Sequence, residues 1–530
     1  MTADSGSPWA PFRHPTFRML WIVWLAAHLS MWMNDVAAAW LMTSLSNNPL
    51  LVALVQSAST LPVFLLGLPS GALADILDRR RFFMFTQFWG AAVGLVLTVL
   101  TFTDMLNASA LLLLVFANGI GLAMRWPVYA ALTPEVVPRA QLMTALAMNG
   151  VGANLARIVG PLIAGALIAA AGSGYVFALN ALLCTVTGFM LARWKRETKV
   201  SPLPSERFLG AIRVGVQHVR QSAQFHSILI RVSLFFLQSI ALIALLPLVA
   251  RALPGGGAGI YTLLLAAMGT GAVSAALLLP RLLQHTTRDQ LFRNGSIVYA
   301  VAMTAAALAP NLYVAVPAMF AAGLAWLTVI NSFTVAAQTA LPDWVRARGM
   351  SIYQMVMMGS SALGAALWGQ VASSTDVRTS LLLASVTAAA GLLVTRYFPV
   401  APAAEEDLTP WREWKPPELA VPVEPEAGPV LVTIEYWIDP ERAAEFEALM
   451  RESRRLWLRN GLLAWELFED TSQPGCYIEH FIDESWAEYV RRNERMTVSY
   501  AELRERKQAL HLRPEAPIIR RFVARPVARS

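Results

Sequence analysis

The sequence predicts an all-α polytopic membrane protein, twelve transmembrane helices in two six-helix bundles, followed by a small α+β domain. Three observations predict it. Of 530 residues, 56% are hydrophobic and only 15% charged, where a soluble protein carries about 25% charged residues. The charge is unevenly placed: the first 400 residues hold 24 Lys+Arg and 11 Asp+Glu, and the last 130 hold 18 and 24. Apolar runs of about 20 residues, enough to cross a bilayer, recur through the first part and end before residue 400.

The runs fall near 18–44, 50–75, 82–103, 108–132, 141–169 and 174–193, then near 227–250, 258–283, 289–309, 311–338, 347–374 and 379–398. Residues 1–17 are then an N-terminal segment, 18–193 one bundle, 194–226 a central loop and 227–398 a second bundle. The first run is too long for a signal peptide and lacks a cleavage site, so it is expected to remain as a span. Short connections force neighbouring spans to run antiparallel. Eighteen basic residues fall on the N-terminal side of the membrane, against Arg251 and Arg378 on the other. The positive-inside rule therefore places both termini in the cytoplasm of a cell whose inner membrane holds the chain. The basic balance serves topology, and no nucleic-acid partner is expected. Cys184 and Cys476 offer no metal spacing. No glycine-rich phosphate loop is present, so neither metal nor cofactor is expected and ATP does not drive the protein.

The two bundles resemble each other. Pro134-Glu-Val-Val137 follows the fourth span and Pro342-Asp-Trp-Val345 follows the tenth, 208 residues later. Span five carries Gly152, Ala156, Gly160 and Ala164; span eleven carries Ser361, Ala365, Gly369 and Ser373. Small residues at every fourth position let helix backbones approach closely in lipid. Such repetition suggests a duplicated transporter with its site between the halves. In the central loop, Leu209, Ile212, Val216 and Val219 recur at helical spacing among Arg207, Arg213 and Arg220. This reads as an amphipathic helix, either on the inner membrane surface or simply a linker.

A Pro- and Glu-rich linker spans 399–429, and the pattern then changes. Val430–Ile438 alternates as a strand, and 440–460 reads as a helix. Strands follow at 463–468 and 476–482, then a helix over 484–510 and a strand at 518–523. The order β-α-β-β-α-β over 430–526 is that of a ferredoxin-like domain.

The stretch from Gly71 through Asp75, Asp78, Arg79 and Arg80 to Arg81 resembles the signature loop of the major facilitator superfamily. Gly160-Pro161 followed by Gly165 is similar to its antiporter motif. Pro342-Asp-Trp-Val-Arg-Ala-Arg-Gly-Met-Ser351 and Ala365-Ala-Leu-Trp-Gly369 resemble the transmembrane secretion effector branch, to which enterobactin-type siderophore exporters belong. The tail resembles the antibiotic-biosynthesis-monooxygenase-like domain of some members. Ile76 and Asp78 depart from the loop's usual basic residue and glycine. The resemblance implies the major facilitator fold and alternating access around a central cavity. It further implies a cytoplasmic latch over Gly71, Asp75 and Asp78, in which Asp75 faces positive charge; the candidates are Arg79, Arg80 and the N-terminus of span eleven with Arg346 and Arg348.

Asp35 is the one acidic residue placed within a span away from its ends. Intramembrane ionisable groups are costly and face a cavity or a partner, so Asp35 is the candidate proton carrier, with His28 and Asn34 beside it. Arg157, the deepest intramembrane arginine, is the candidate for pairing with Asp35 or binding an anionic substrate, and Arg125 is an intermediate candidate for the cavity. Arg231 is expected to snorkel to the surface. Asn118, Asn154, Gln238, Asn331 and Gln354 are candidate substrate contacts, and Trp32, Trp126 and Trp326 candidate stacking surfaces. Gly152, Gly160, Pro161 and Gly165 are expected to pack helices. His511, Trp465 and Tyr477 would line any pocket in the tail.

These readings converge on a secondary exporter of a small amphipathic compound, a siderophore, antibiotic or other secondary metabolite, with protons and lipid as its other partners. It is not expected to be an enzyme. A bifunctional exporter with a cofactor-free monooxygenase-like tail and a membrane scaffold are the alternatives. An open sheet face predicts dimerisation through the tail.

Overall fold

The computed structural model describes residues 9–138, 141–194, 208–395, 397–398, 411, 417, 419, 421–494 and 496–525. The side chains of Asp75, Leu209 and Ile212, and most of the linker, lie outside the described residues. The chain forms two compact units. One holds Met1–Pro202, Leu229–Ala336 and Ser351–Pro399; the other holds Leu203–Ile228, Ala337–Met350 and Val400–Ser530.

Twelve long helices are described in the first part of the chain. They are α1 Pro15–Leu45, α2 Pro49–Ile76, α3 Arg79–Phe102, α4 Ala108–Val136, α5 Leu142–Ala170 and α6 Ser173–Arg193. After α7 Phe208–Gln221 come α8 Ala223–Ala252, α9 Ala258–His285, α10 Arg288–Leu308, α11 Leu312–Thr339, α12 Asp343–Ser374 and α13 Val377–Thr395. Eleven are long and apolar enough to cross a membrane. The remaining one, α1, is 31 residues long but carries Trp21, Trp24, Trp32 and Trp40 with His28, Asn34 and Asp35, which lower its mean hydropathy.

The helices begin where short polar residues meet apolar runs. Asn48, Asp78 and Asn107 cap α2, α3 and α4 by accepting from Leu50, Arg81 and Ala110 amides at 2.8–2.9 Å. Thr287 and Gln290 form a reciprocal capping box on α10. Such caps satisfy amide donors that the first helical turn leaves open.

Glycines set the close approaches. A Cβ at Gly160 would stand 2.8 Å from Trp32 Cβ, and one at Gly152 would stand 3.3 Å from the Trp21 ring, so both seat α5 on α1. Gly165 of α5 abuts Thr262 of α9, and Gly269 of α9 abuts Ile158 of α5. On the other flank, Ser57 Oγ of α2 donates to the Ala362 carbonyl of α12 at 2.7 Å, and Gly369 rests against Ala53. The two halves therefore meet along α2 with α12 and along α5 with α9.

The C-terminal part contains β1 Val430–Trp437, α14 Ala443–Arg459, β2 Ala464–Glu469, β3 Cys476–Asp483, α15 Trp486–Glu494, α16 Val498–Ala509 and β4 Ile518–Val523. The strands form one antiparallel sheet in the order β2-β3-β1-β4. Where the sequence suggests one helix over 484–510 there are two, because extended Thr497 starts α16 afresh. Alternation along β1 turns Val430, Val432, Ile434 and Tyr436 onto the helices, where they meet Phe446, Met450 and Trp457. The other sheet face carries Phe468, Ile518 and Phe522 exposed.

Candidate functional site

Helix α1 presents Trp24, His28, Trp32 and Asp35 at spacings of four, four and three, which is one helix face. His28 is buried and its ring centroid lies 4.0 Å from that of Trp24. His28 Nδ1 sits 3.1 Å from the Trp24 carbonyl. Trp24 stacks on Tyr129 of α4 at 3.9 Å and 4°, and Trp126 of α4 lies 6.0 Å from His28. His28 lies within electrostatic range of both Arg125 and Arg157.

Arg157 of α5 holds its guanidinium carbon 5.7 Å from the Trp32 ring centroid and 4.5 Å from that of Trp326 on α11. One group thus joins α1 and α5 of the first half to α11 of the second. Its Nη1 is buried without a hydrogen-bond partner. Arg125 of α4 is 6% exposed; its Nη1 reaches the Ala27 carbonyl at 3.5 Å and its Nε has no partner. Beside it lies Cys184 of α6, with Gly90 of α3 leaving the room. Cys184 contacts Asn180, whose amide donates to Asn34 Oδ1 at 3.4 Å. A buried polar group left unpaired costs about 1–3 kcal/mol; several converge here.

Asp35 accepts a hydrogen bond from Ser59 Oγ of α2 at 3.2 Å. Among the described residues no ion pair joins it to Arg157 or Arg125; Arg157 is held between the Trp32 and Trp326 rings instead. Farther along α1, Trp40 stacks on Tyr261 of α9 at 5.9 Å. Arg251 of α8 donates to the Thr43 carbonyl and lies 5.6 Å from Trp40. This cross-half tie escaped the sequence, where Arg251 reads only as a loop charge.

The other candidates scatter. Asn154 bonds the Gly150 carbonyl of its own helix at 3.0 Å. Gln238 accepts from Thr387 at 3.1 Å and lines a shallow groove with Phe292 and Tyr299, between α8, α10 and α13 of the second half. Gln354 Oε1 is buried and unpartnered, and Asn118 and Asn331 are part-exposed. Arg231 does not snorkel: it is buried, paired with Asp289, and donates to the Phe398 and Thr395 carbonyls at 2.8 and 2.9 Å. It ties α8 to α10 and to the end of α13.

Of the latch set, Asp78 caps α3 and Arg79 pairs with Glu135 at 2.6 Å. Arg80 donates to the Leu191 and Ala192 carbonyls that end α6. Cationic donors suit a helix C-terminus. Among the described residues, a Cβ on Gly71 would meet nothing within 4 Å. Arg346 donates to the Gln338 and Leu341 carbonyls at 3.2 and 3.3 Å, and Arg348 packs on Gly215 of α7.

In the tail, the interior holds two polar clusters: Asp483 accepts both hydrogen bonds of a buried, bidentate pair with Arg492 at 2.8 Å, and Glu479 gathers the second. Glu479 of β3 is wholly buried and accepts from Trp457 and Trp465 Nε1 at 2.9 Å, Ser453 Oγ at 3.0 Å, Lys507 Nζ at 3.1 Å and Tyr436 Oη at 3.2 Å. Burial pushes its carboxyl up, yet Lys507 and the hydrogen bonds outweigh burial and hold it below the usual carboxylate value. Trp465 is thereby engaged in the core. Tyr477 packs on Phe446 at 5.3 Å, and His511 Nδ1 accepts from the Trp437 amide at 3.0 Å. The alternation Tyr477, Glu479, Phe481 along β3 was the available signal for an inward carboxylate.

The family model described as transmembrane secretion effector matches residues 6–529. The chain is 21% identical to the staphyloferrin A transporter of Staphylococcus aureus over 62% of its own length and 82% of that protein. It is 25% identical to an enterobactin exporter of Salmonella typhimurium, over 67% of this chain and 85% of that one. The solved nucleoside transporter NupG superposes with a TM-score of 0.62 at 11% identity, covering 72% of this chain and 99% of that chain; that likeness shows the fold.

Proposed function

Because the chain belongs to the transmembrane secretion effector family, we propose that it is a proton-coupled secondary exporter moving a small amphipathic compound by alternating access. A membrane transporter of the major facilitator type is the premise; direction, coupling ion and cargo are the proposal. The observation that carries it is Arg157, seated between Trp32 of the first half and Trp326 of the second. A compound bound there touches both halves, and a ligand shifts a conformational equilibrium only through different affinities for its states.

Asp35 supplies the proton-binding group in this reading. A carboxyl bonded to a single hydroxyl of α2 changes its water and partners whenever α1 and α2 move. With the basic loops inside, the Arg251–Thr43 tie and the Trp40–Tyr261 stack belong to the outer side and hold it closed. The tail is read as non-catalytic, since its buried carboxylates, Glu479 and Asp483, are both engaged by core side chains. The relatives' printed cargoes, staphyloferrin A and enterobactin, support a secreted metal-chelating metabolite as cargo.

The test compares culture media of the source strain with and without the gene. A compound that disappears from the medium and accumulates in cells is then loaded into vesicles bearing the purified chain. Gradient-dependent movement supports the proposal; an unchanged medium, or movement indifferent to an imposed pH gradient, sinks it.

A further inference from the structure

The buried polar atoms without partners in the first six-helix bundle share one chemical character. Trp24 Nε1, Asn34 Nδ2, Gln87 Nε2, Arg125 Nε and Arg157 Nη1 are all N–H donors. Besides the hydroxyl of Ser30, which can also donate, no unpartnered buried side-chain acceptor is found there among the described residues. Folded proteins pair nearly all buried polar groups, so a one-sided surplus calls for an acceptor from outside the chain.

The donors are connected. Arg125 touches Cys184, which reaches Asn180 and then Asn34. Trp24 lies against His28, and His28 lies within electrostatic range of Arg125 and Arg157. Two of the donors carry fixed positive charge, because a guanidinium does not deprotonate in proteins. Neither has a carboxylate partner among the described residues. Asp35, on the same face of α1, is engaged by Ser59. Buried charge without a counter-charge is strongly unfavourable, and a guanidinium stacked on rings keeps its N–H edge for an in-plane acceptor. The walls are aromatic: Trp32 and Trp326 flank Arg157, and Trp126 flanks His28.

We propose that this region of α1, α4 and α5 is a binding site for an anionic, oxygen-rich head group on an aromatic or apolar body, and that the exported compound is of this class. This deepens the exporter reading and rests on it. Arg157 and Arg125 supply charge and paired donors, His28 and Asn34 lie beside them, and the tryptophans take the apolar body. A cationic cargo would meet the wrong complement: two positive charges and a single carboxylate.

The test uses two probes of one shape and opposite charge, 2-naphthoate and 2-naphthylmethylammonium, titrated against the purified full chain in lipid nanodiscs. Quenching of tryptophan emission reads the binding. The naphthoate is expected to bind about tenfold tighter or more, the factor one charge-assisted hydrogen bond supplies. Arg157→Gln is expected to erase most of that preference and Arg157→Lys to keep part of it. Arg125 is more buried, so Arg125→Gln is compared only after gel filtration and circular dichroism show a folded protein. Equal or tighter binding of the ammonium, no saturable binding of either probe, or a preference that survives Arg157→Gln overturns the proposal. Charge-selective binding without transport in vesicles sinks the exporter reading alone; gradient-driven export with a preference for the ammonium sinks this one alone.

Discussion

Arg213 of α7 forms an ion pair with Glu484, the residue that follows β3, and so fastens the central-loop helix to the C-terminal sheet. Gln217 adds a hydrogen bond to the Leu462 carbonyl at 3.2 Å. His218 and Val219 are buried, and burial, with Arg459 nearby, pushes the His218 imidazole down to about 3. The amphipathic helix that suits a membrane surface is thus packed on α14. An apolar stripe announces that it will be covered, not by what.

The first prediction follows from that ion pair. Both side chains are about one-third exposed, so the pair contributes no more than about 1 kcal/mol, but it orients α7. Arg213→Glu should speed amide exchange in α7 and near Leu462 severalfold, and adding Glu484→Arg should slow it again. Unchanged exchange in the single variant, or no recovery in the pair, would show that apolar packing alone holds α7.

A second prediction concerns Glu479. Its folded-state pKa lies below the ordinary 4.5, so its contribution to stability is present above the unfolded value and fades as pH falls through the folded one. The tail should therefore keep this contribution at neutral pH and lose it below about 4.5. Glu479→Leu leaves Lys507 buried without its carboxylate and should cost ~3–5 kcal/mol of tail stability. Glu479→Leu combined with Lys507→Met should cost less than Glu479→Leu alone. Protease resistance of residues 430–525 across pH 3–7 reads all three; a double variant weaker than the single one would contradict the account.

The sequence carries the helix order and the antiparallel bundles well, because apolar length and small-residue stripes are local properties. It carries less of what lies beyond the apolar runs. Helix α4 continues through Pro134 and Glu135 to Val136, where hydropathy alone stops at about 132. The site is partly legible: Asp35, Arg157 and Arg125 stand out because charge in an apolar run is rare. Their pairings do not: Ser59 and Cys184 are ordinary residues in their own segments, and Trp326, though visible as a stacking candidate, is tied to Arg157 by nothing in the sequence. Arg231 shows the same limit. Its partners Asp289, Thr395 and Phe398 are 58 to 167 residues away, and nothing near it in sequence distinguishes a buried tie from a surface anchor.

A third prediction separates two glycines of similar sequence prominence. Any side chain at Gly165 collides with Thr262 of α9, whereas one at Gly71 meets nothing within 4 Å among the described residues. Gly165→Val should force α5 from α9, lowering stability by ~1–3 kcal/mol as overpacking does, and slow transport; Thr262→Gly should relieve it. Gly71→Ala should leave the melting temperature unchanged. Equal losses in the two glycine variants would mean that α5 and α9 do not approach as described.

The last prediction concerns Asp35, on the face of α1 that also carries Trp24, His28 and Trp32. Its one described hydrogen bond comes from Ser59 of α2, and neither Arg157 nor Arg125 neutralises it. Protonated, it is cheap to keep in an apolar setting; ionised, it needs water or a cation. If protons drive export, its protonation state must differ between inward and outward forms. Asp35→Asn keeps an acceptor for Ser59 and removes the charge, so the protein should fold and insert normally. It should lose accumulation driven by a pH gradient, while counterflow, which needs binding and movement but no net proton, persists. Ser59→Ala should act more weakly, shifting the pH at which transport is half-maximal rather than abolishing it. Vesicles with an imposed pH gradient measure both. An Asn variant that concentrates cargo at the parent rate would move the coupling role away from Asp35, and loss of counterflow along with accumulation would make it a structural residue.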